Sequence, residues 1–329
     1  MPTYQKLVAT RLTPHFREAA QIVEADVPEP GPGQVLVRNR YAGVNATDVN
    51  ITAGRYSADP TLPMDLGAEA VGVVEAVGAG VELTVGQAVA TMGVGGGYRE
   101  LQLIPARYAV PVPEATPEMV ALFVSGLTAS IALSETGQMG TGETVFVSAA
   151  AGGTGQFAVQ LAKRAGNTVV GTCGSPEKAD ALRALGVDRV VNHREEDVRA
   201  VLKEVGPIDL AYESVGRAMF DAALAALGVH GRLLVIGYVS EYIDGLESVD
   251  RPRVYARLLQ TSASIRGFFL PHFTAFYPAH IARLVSLVKT GELEVAVDES
   301  RFEGVGSVVD AVEHLHSGAS RGKVVVRLS

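Results

Sequence analysis

A chain of 329 residues exceeds the size at which one hydrophobic core stops growing, so two domains are expected. A hydrophobic share of 47% describes a well-buried globular protein, and a formal charge of −8 argues against nucleic acid or an anionic membrane as partner. The single cysteine, Cys173, excludes an internal disulfide and a Cys-rich zinc site. No apolar run is expected to reach the ~20 residues of a membrane span, and residues 1–16 lack the apolar stretch of a secretion signal, so a cytoplasmic setting is expected.

Residues 20–115 read as β structure. The alternating run 34–41 follows the turn Pro28-Glu29-Pro30-Gly31-Pro32-Gly33, and the glycine-punctuated run 70–78 has the pattern of a bent or barrel strand. Runs 87–92 and 97–103 continue the series. The rhythm changes at Thr116-Pro117, an N-cap with proline at the first helical position, which opens a helix to about residue 136. Strands at 144–148, 168–172, 189–192, 210–213 and 232–237 then alternate with helices at 156–165 and 177–185. A helix at 282–290 and a strand at 322–327 close the chain. That alternation predicts an α/β fold with a doubly wound parallel sheet beside a β-rich domain.

Between the strand at 144–148 and the helix after it lies Ala150-Ala151-Gly152-Gly153-Thr154-Gly155. It fits a G-x-G-x-x-G register with Ala150 in the first slot. Such a turn brings backbone close to a pyrophosphate, and the helix N-terminus adds N–H donors and partial positive charge. An NAD-binding chain places Asp or Glu at the end of the next strand to hold the ribose hydroxyls. Here that strand ends in Cys173-Gly174-Ser175, with Lys178 one turn into the following helix. Ser175 and Lys178 therefore point to NADPH, unless Lys178 is only a solvated helix lysine. Cys173 reads as a packing residue.

The seven histidines form no HxxxH or HExxH arrangement, so no metal is expected. No G-x-S-x-G elbow marks a nucleophile. Hydride transfer needs neither; it needs a positioned nicotinamide and a donor for charge developing on a carbonyl oxygen.

The runs Gly43-Val44-Asn45-Ala46-Thr47-Asp48, Gly54-Arg55-Tyr56, Ala149 through Gly155 and Gly322-Lys323-Val324-Val325-Val326 resemble those of the medium-chain dehydrogenase/reductase superfamily. The resemblance covers nearly the whole chain and is closest to the zinc-free quinone oxidoreductase branch. Within it, Val124-Ser125-Gly126-x-Thr128-Ala129, Tyr212-Glu213-Ser214-Val215-Gly216 and Gly267-Phe268-Phe269-Leu270 are similar to a prostaglandin reductase subgroup. The resemblance implies a GroES-like β-rich catalytic domain, residues 1–127 and 265–329, with a Rossmann NADPH-binding domain, 128–264, inserted. The zinc branch carries Cys and His where this chain has Asn45 and Ala68, which agrees with a metal-free site.

The same resemblance places Asn45 and Thr128 near the nicotinamide and Gly152, Gly153, Thr154 and Gly155 on the pyrophosphate. Ser175 and Lys178 meet the 2′-phosphate, and Ser214, Gly237 and Tyr238 line the adenine and ribose side. Phe268, Phe269 and Leu270 close over the nicotinamide, and Lys323 reaches toward it. The family's usual Asn-Tyr-Lys is Asn192-His193-Arg194 here. His193 or Arg194 can replace the tyrosine at the phosphate, or His193 is a plain loop residue. Asn45 and Tyr56 are the catalytic candidates: Asn45 to bond the substrate carbonyl or only to position the cofactor, Tyr56 as a phenol donor or as packing. Tyr242 is a weaker donor candidate, and Asp48 and Glu69 read as structural. The implied activity is NADPH-dependent reduction of an enone. Quinone reduction and a non-catalytic NADPH-binding role are the alternatives. A homodimer is expected, formed by extending one sheet from residues 232–237 and the segment after them.

Overall fold

The computed structural model describes residues 2–93, 95–250 and 252–329. The chain forms two compact units, Met1–Val124 with Ala296–Ser329, and Ser125–Val295.

The first unit is built on the strand Gln34–Gly43, which pairs antiparallel with Glu69–Val77, Leu101–Pro105 and Val325–Arg327. Val35 and Val37 pack on one side with Val74 and Val89, and Leu36 packs on the other with Tyr4 and Leu101. A strand covered on both faces needs apolar residues at successive positions, as Val35-Leu36-Val37 supplies. Its register against Glu69–Val77 shifts twice. Gly72 lies there so close to the Arg38 carbonyl that a Cβ would collide with it, so the bend depends on glycine. The strand expected at 97–103 starts later, at Leu101. Residues 95–97 instead turn back so that their N–H groups meet the Gly67 carbonyl.

The second unit is a six-stranded parallel sheet. Its strands are β1 (Thr144–Val147), β2 (Thr168–Cys173), β3 (Arg189–Asn192), β4 (Ile208–Glu213), β5 (Leu227–Val235) and β6 (Ser264–Gly267). Its helices include α1 (Gly155–Arg164), α2 (Pro176–Ala184), α3 (Val198–Val205), α4 (Arg217–Ala226), α5 (Tyr255–Thr261) and α6 (Tyr277–Lys289). The spatial order is β3-β2-β1-β4-β5-β6, the Rossmann order, in which ligands bind beyond the carboxyl ends of the strands where the winding reverses. Phe146, Val170, Val191, Ala211 and Leu233, one from each of five strands, share a buried core.

Residues 265–295, expected with the β-rich domain, belong to the second unit. β6 continues the parallel sheet beside β5, and the His280 ring on α6 lies 2.7 Å from the Ser130 hydroxyl. Residues 232–235 pair on both sides, with β4 and β6, so the exposed edge belongs to β6 rather than to the strand from which sheet extension was expected.

The expectation about membrane spans needs a correction. The helical run Pro117–Thr136 is long and apolar enough to cross a membrane, since only Glu118 and Glu135 carry charge. Of its most apolar stretch 78% is buried inside the protein, as in the core helix of a folded domain. The run is not uniform: Leu122–Gly126 and Ala132–Thr136 are π-helical, a geometry that releases backbone groups for other partners.

Candidate functional site

In the first unit the chain leaves the strand Gln34–Gly43 and enters the short helix Asp48–Thr52 through Asn45. The Asn45 N–H donates to Asp48 Oδ2 (2.8 Å), which closes the turn. The Asn45 amide donates from Nδ2 to Glu69 Oε1 (2.9 Å) and to the Gly43 carbonyl (3.2 Å). Its Oδ1 accepts from Lys323 Nζ (2.7 Å), and the same ammonium lies 2.5 Å from Glu69 Oε1. Glu69 Oε2 accepts the Val124 N–H (2.7 Å) from within the first π-helical turn. Glu69 and Lys323 are each 1% exposed and Asn45 7%. A Cβ at Gly43 would collide with the Glu69 carboxylate, so only glycine admits this group of side chains.

Asp48 and Glu69 thus both fix Asn45, one by its backbone and one by its amide, as the structural reading of the two acids expects. Lys323, expected to reach toward the nicotinamide, spends its charge on Asn45 and Glu69. Among the described residues no three His, Cys, Asp or Glu side chains are grouped so as to hold a metal ion.

Asp48 Oδ2 also accepts from the Tyr98 hydroxyl (2.5 Å), while Asp48 Oδ1 is buried with no hydrogen-bond partner. Burial pushes the Asp48 carboxyl up to about 6, against the opposing pull of the Tyr98 and Asn45 hydrogen bonds and of Lys323. Because the folded value lies above the ordinary one, protonation favours the fold. The contribution is present in acid and is lost as pH rises through about 6. The stability difference between Asp48→Asn and wild type is therefore expected to move in the variant's favour by up to about 3 kcal/mol between pH 4 and pH 8. Urea unfolding across that range measures it, and a difference independent of pH would contradict the assignment.

Tyr56 is 44% exposed. Its phenol oxygen accepts from Thr47 Oγ1 (2.6 Å) and from Asn50 Nδ2 (3.1 Å), and Asn50 Oδ1 accepts from Arg55 Nη1 (2.6 Å). The ring is therefore held by polar contacts at its hydroxyl, which packing alone does not require.

In the second unit the turn after β1 begins at Ala149, in the left-handed region at φ 46°. The Ala149 and Ala150 N–H groups donate to Thr172 Oγ1 (3.1 Å) and to its carbonyl (2.8 Å), tying the turn to the end of β2. A Cβ on Gly155 would collide with the Ala149 carbonyl and the Ala150 backbone, so this glycine lets α1 start against the turn. Gly152, with only the Ala149 carbonyl 3.2 Å from such a Cβ, leaves its outer side open to a ligand.

Across the reversal from β1, Glu213 ends β4. Its carboxylate accepts from the Val215 N–H (2.7 Å), the Gly216 N–H (3.1 Å) and Ser148 Oγ (3.1 Å), and Ser148 Oγ in turn accepts from the Ser214 N–H (2.8 Å). One buried acid holds both loops at the carboxyl edge, although burial raises its pKa. Sequence reading passed over Glu213; the available signal was an acid at a strand end followed by Ser-Val-Gly. These loops border a cavity of about 220 Å³ whose lining includes Ala149, Thr172, His193, Gly216, Arg217 and Ser240.

Ser175 caps α2, accepting from the Lys178 N–H (3.4 Å). A hydrogen bond to its own backbone, and then one from the Ser175 hydroxyl, hold the Glu177 carboxylate below its ordinary range. His193 and Arg194 lean over Gly174: a Cβ there would lie 3.1 Å from His193 Nε2 and 3.5 Å from Arg194 Nε. Gly237 faces the Tyr242 hydroxyl, and Tyr238 meets the Tyr242 ring edge-on at 4.8 Å. Thr128 is buried just after the first π-helical turn. Phe268 is buried and stacked on Phe273 (4.8 Å), while Phe269 is 39% exposed and Leu270 opens a short helical turn. The structure brings Ala150 through Gly155, Ser214 and His193 around the carboxyl edge of one sheet. It joins Asn45 to Lys323 within the other unit.

Known proteins share this plan. A family model described as zinc-binding dehydrogenase matches residues 153–287, and one described as alcohol dehydrogenase GroES-like domain matches 31–114. Prostaglandin reductase-3 of Mus musculus is 48% identical over 99% of this chain and 90% of its own length. A probable quinone oxidoreductase of Leishmania amazonensis is 43% identical over 99% of this chain and 98% of its own. The solved structure of Escherichia coli quinone oxidoreductase complexed with NADPH superposes with a TM-score of 0.86 at 29% identity, over 98% of this chain and 99% of that one.

Proposed function

The chain belongs to the medium-chain dehydrogenase/reductase superfamily as an NADPH-dependent oxidoreductase, and we propose that it reduces the carbon–carbon double bond of α,β-unsaturated ketones. The observation that carries the enone reading is the Tyr56 phenol. With its oxygen accepting from both Thr47 and Asn50, the hydroxyl is oriented as a donor. The likeness to prostaglandin reductase-3 over nearly the whole chain supports it.

The residues present fit NADPH: a glycine-walled turn at a helix N-terminus, a cavity beside it, and the cations Arg194, beside Gly174, and Lys178, in the first turn of α2. In this reading Ala150, Gly152, Gly153, Thr154 and Gly155 hold the pyrophosphate, and Ser175, Lys178 and His193 the 2′-phosphate. Ser214, Gly237 and Tyr238 take the adenosine side. Thr128, Phe268, Phe269 and Leu270 take the nicotinamide side, with Asn45 and, through it, Lys323.

NADPH, when bound, supplies the hydride to the substrate's β-carbon. The electron pair displaced from the double bond collects on the substrate oxygen as an enolate. Tyr56 gives its hydroxyl proton to the α-carbon, and solvent returns one to the phenolate. Both amide hydrogens of Asn45 are committed to Gly43 and Glu69, so of its two roles the arrangement favours positioning over donation to the substrate carbonyl. The site is zinc-free in this proposal, because residue 45 offers an amide oxygen already bonded to an ammonium.

Incubation with NADPH and a panel of enones is expected to yield saturated ketones. If none is reduced while quinones oxidise NADPH, the second reading, a quinone reductase like the Leishmania relative, replaces the first. Gly155→Ala is expected to weaken NADPH binding by at least about tenfold, since the turn must open to admit the methyl group. Fluorescence titration reads this, and unchanged affinity would remove the turn from the cofactor site.

The proposal includes a homodimer and a cytoplasmic setting. β6 is a sheet edge paired only with β5 among the described residues, and Val229, Tyr255 and Leu259 are exposed on β5 and α5. The buried free thiol of Cys173 suits a reducing compartment.

A further inference from the structure

We propose that His193 is a protonatable ligand of the NADPH 2′-phosphate, taking up a proton as the phosphate enters and making the preference for NADPH over NADH depend on pH. The inference rests on the reading that the 2′-phosphate sits at the turn Gly174-Ser175 and the start of α2. It goes beyond that reading because a phenol, the family's usual group at this position, cannot act in this way near neutral pH.

The geometry places the ring. The backbone of His193 is tied to β2 by its N–H, which donates to the Cys173 carbonyl (3.0 Å). The side chain then covers Gly174, beside the guanidinium of Arg194, and borders the cavity that also meets Thr172 and Gly216. The residue is exposed, so a phosphate at the turn can reach the ring.

Charged and titratable groups come from every neighbouring element. β2 offers Cys173, whose thiol burial keeps protonated. From α2 come Lys178 and Glu177, the latter bonded to Ser175. The loop after β3 adds Arg194 and Glu195, and Arg217 lines the same cavity with Asp244 3.9 Å away. Of these charges, the two that bear on the ring, Arg194 and Lys178, are both cations. Partial desolvation, then Arg194 and Lys178, lower the His193 pKa, while a hydrogen bond to its own backbone opposes them.

A ring whose basicity is lowered by partial burial and by neighbouring cations responds strongly when a dianion arrives. The phosphate offsets Arg194 and Lys178 and offers an acceptor to the imidazolium, so the bound-state pKa rises above the free one. Linkage then requires proton uptake on binding at any pH between the two values, and affinity for NADPH falls as pH rises through that window. NADH has no 2′-phosphate and causes no uptake by this ring.

The test is calorimetric titration of the whole protein with NADPH and with NADH, in buffers of different ionisation enthalpy, for wild type, His193→Gln and Arg194→Gln. Wild type is expected to take up more protons with NADPH than His193→Gln, by a difference of about half a proton per site near neutral pH. The Kd of His193→Gln for NADPH should exceed that of wild type by about tenfold at pH 6 and converge with it by pH 8, since only a charged ring gives the stronger bond. The ionisation of the phosphate itself is common to both proteins and cancels in that ratio. Arg194→Gln should weaken NADPH binding across the pH range without removing the proton uptake. Equal proton counts in wild type and His193→Gln, with NADPH still preferred, would overturn the role of His193 and leave the phosphate pocket standing. NADPH binding no tighter than NADH would overturn the pocket and the inference together.

Discussion

Lys323→Met is expected to cost about 3–5 kcal/mol of stability at neutral pH, the penalty of leaving a buried carboxylate without its cation. Glu69 and Lys323 are nearly inaccessible to water, and the ammonium serves Glu69 Oε1 and Asn45 Oδ1 together. After the substitution Glu69 keeps the Asn45 amide and the Val124 N–H as donors, but neither carries charge. The double variant Lys323→Met with Glu69→Gln should recover much of the single variant's loss, because the isolated charge is gone. Urea unfolding of the four proteins at neutral pH measures the cycle. Additive losses would mean that the two side chains do not act as a pair.

This cluster also marks the limit of what could be read from the chain. The turn at 150–155, proposed to hold the dinucleotide, was legible as strand–turn–helix because its requirements are local: a strand, small residues at fixed spacing, and a helix lie within a short stretch. The structure adds only why Gly155 is needed. That the sheet is parallel and doubly wound followed from the alternation of strands and helices; its strand order did not. The bond between Lys323 and Asn45 joins residues 278 positions apart, and nothing local to either predicts it. The family resemblance alone had Lys323 reach toward the nicotinamide. The boundary near residue 265 was misplaced for a similar reason. β6 is four residues long with arginine at its third position, too little pattern to reveal a sheet strand, and only its pairing with β5 assigns it. α3 was overlooked although Asp197 accepts the Arg199 and Ala200 N–H groups as its cap, a signal that was present in the sequence. The substitution at His193, by contrast, was visible from the chain, and the structure gave it neighbours that lower its basicity.

Tyr56→Phe is expected to lower kcat for enone reduction by about 10²–10³, the range for loss of a positioned general acid, with NADPH affinity unchanged within about twofold. Proton delivery to carbon is slow compared with delivery to oxygen, so an enolate gains from an acid held in place, whereas a reduced quinone collects its protons on oxygen directly from water. The same variant should therefore reduce quinones nearly as fast as wild type. Thr47→Val removes one of the two hydrogen bonds that orient the phenol and leaves Asn50 in place, so a smaller loss, about tenfold, is expected. Because phenylalanine preserves the ring, ordinary packing by Tyr56 predicts no change in kcat. Single-turnover rates with a fixed enone, measured beside quinone-dependent oxidation of NADPH, separate these outcomes. An equal loss with both acceptors would assign Tyr56 to a step before proton transfer, and no loss with either would remove it from the reaction.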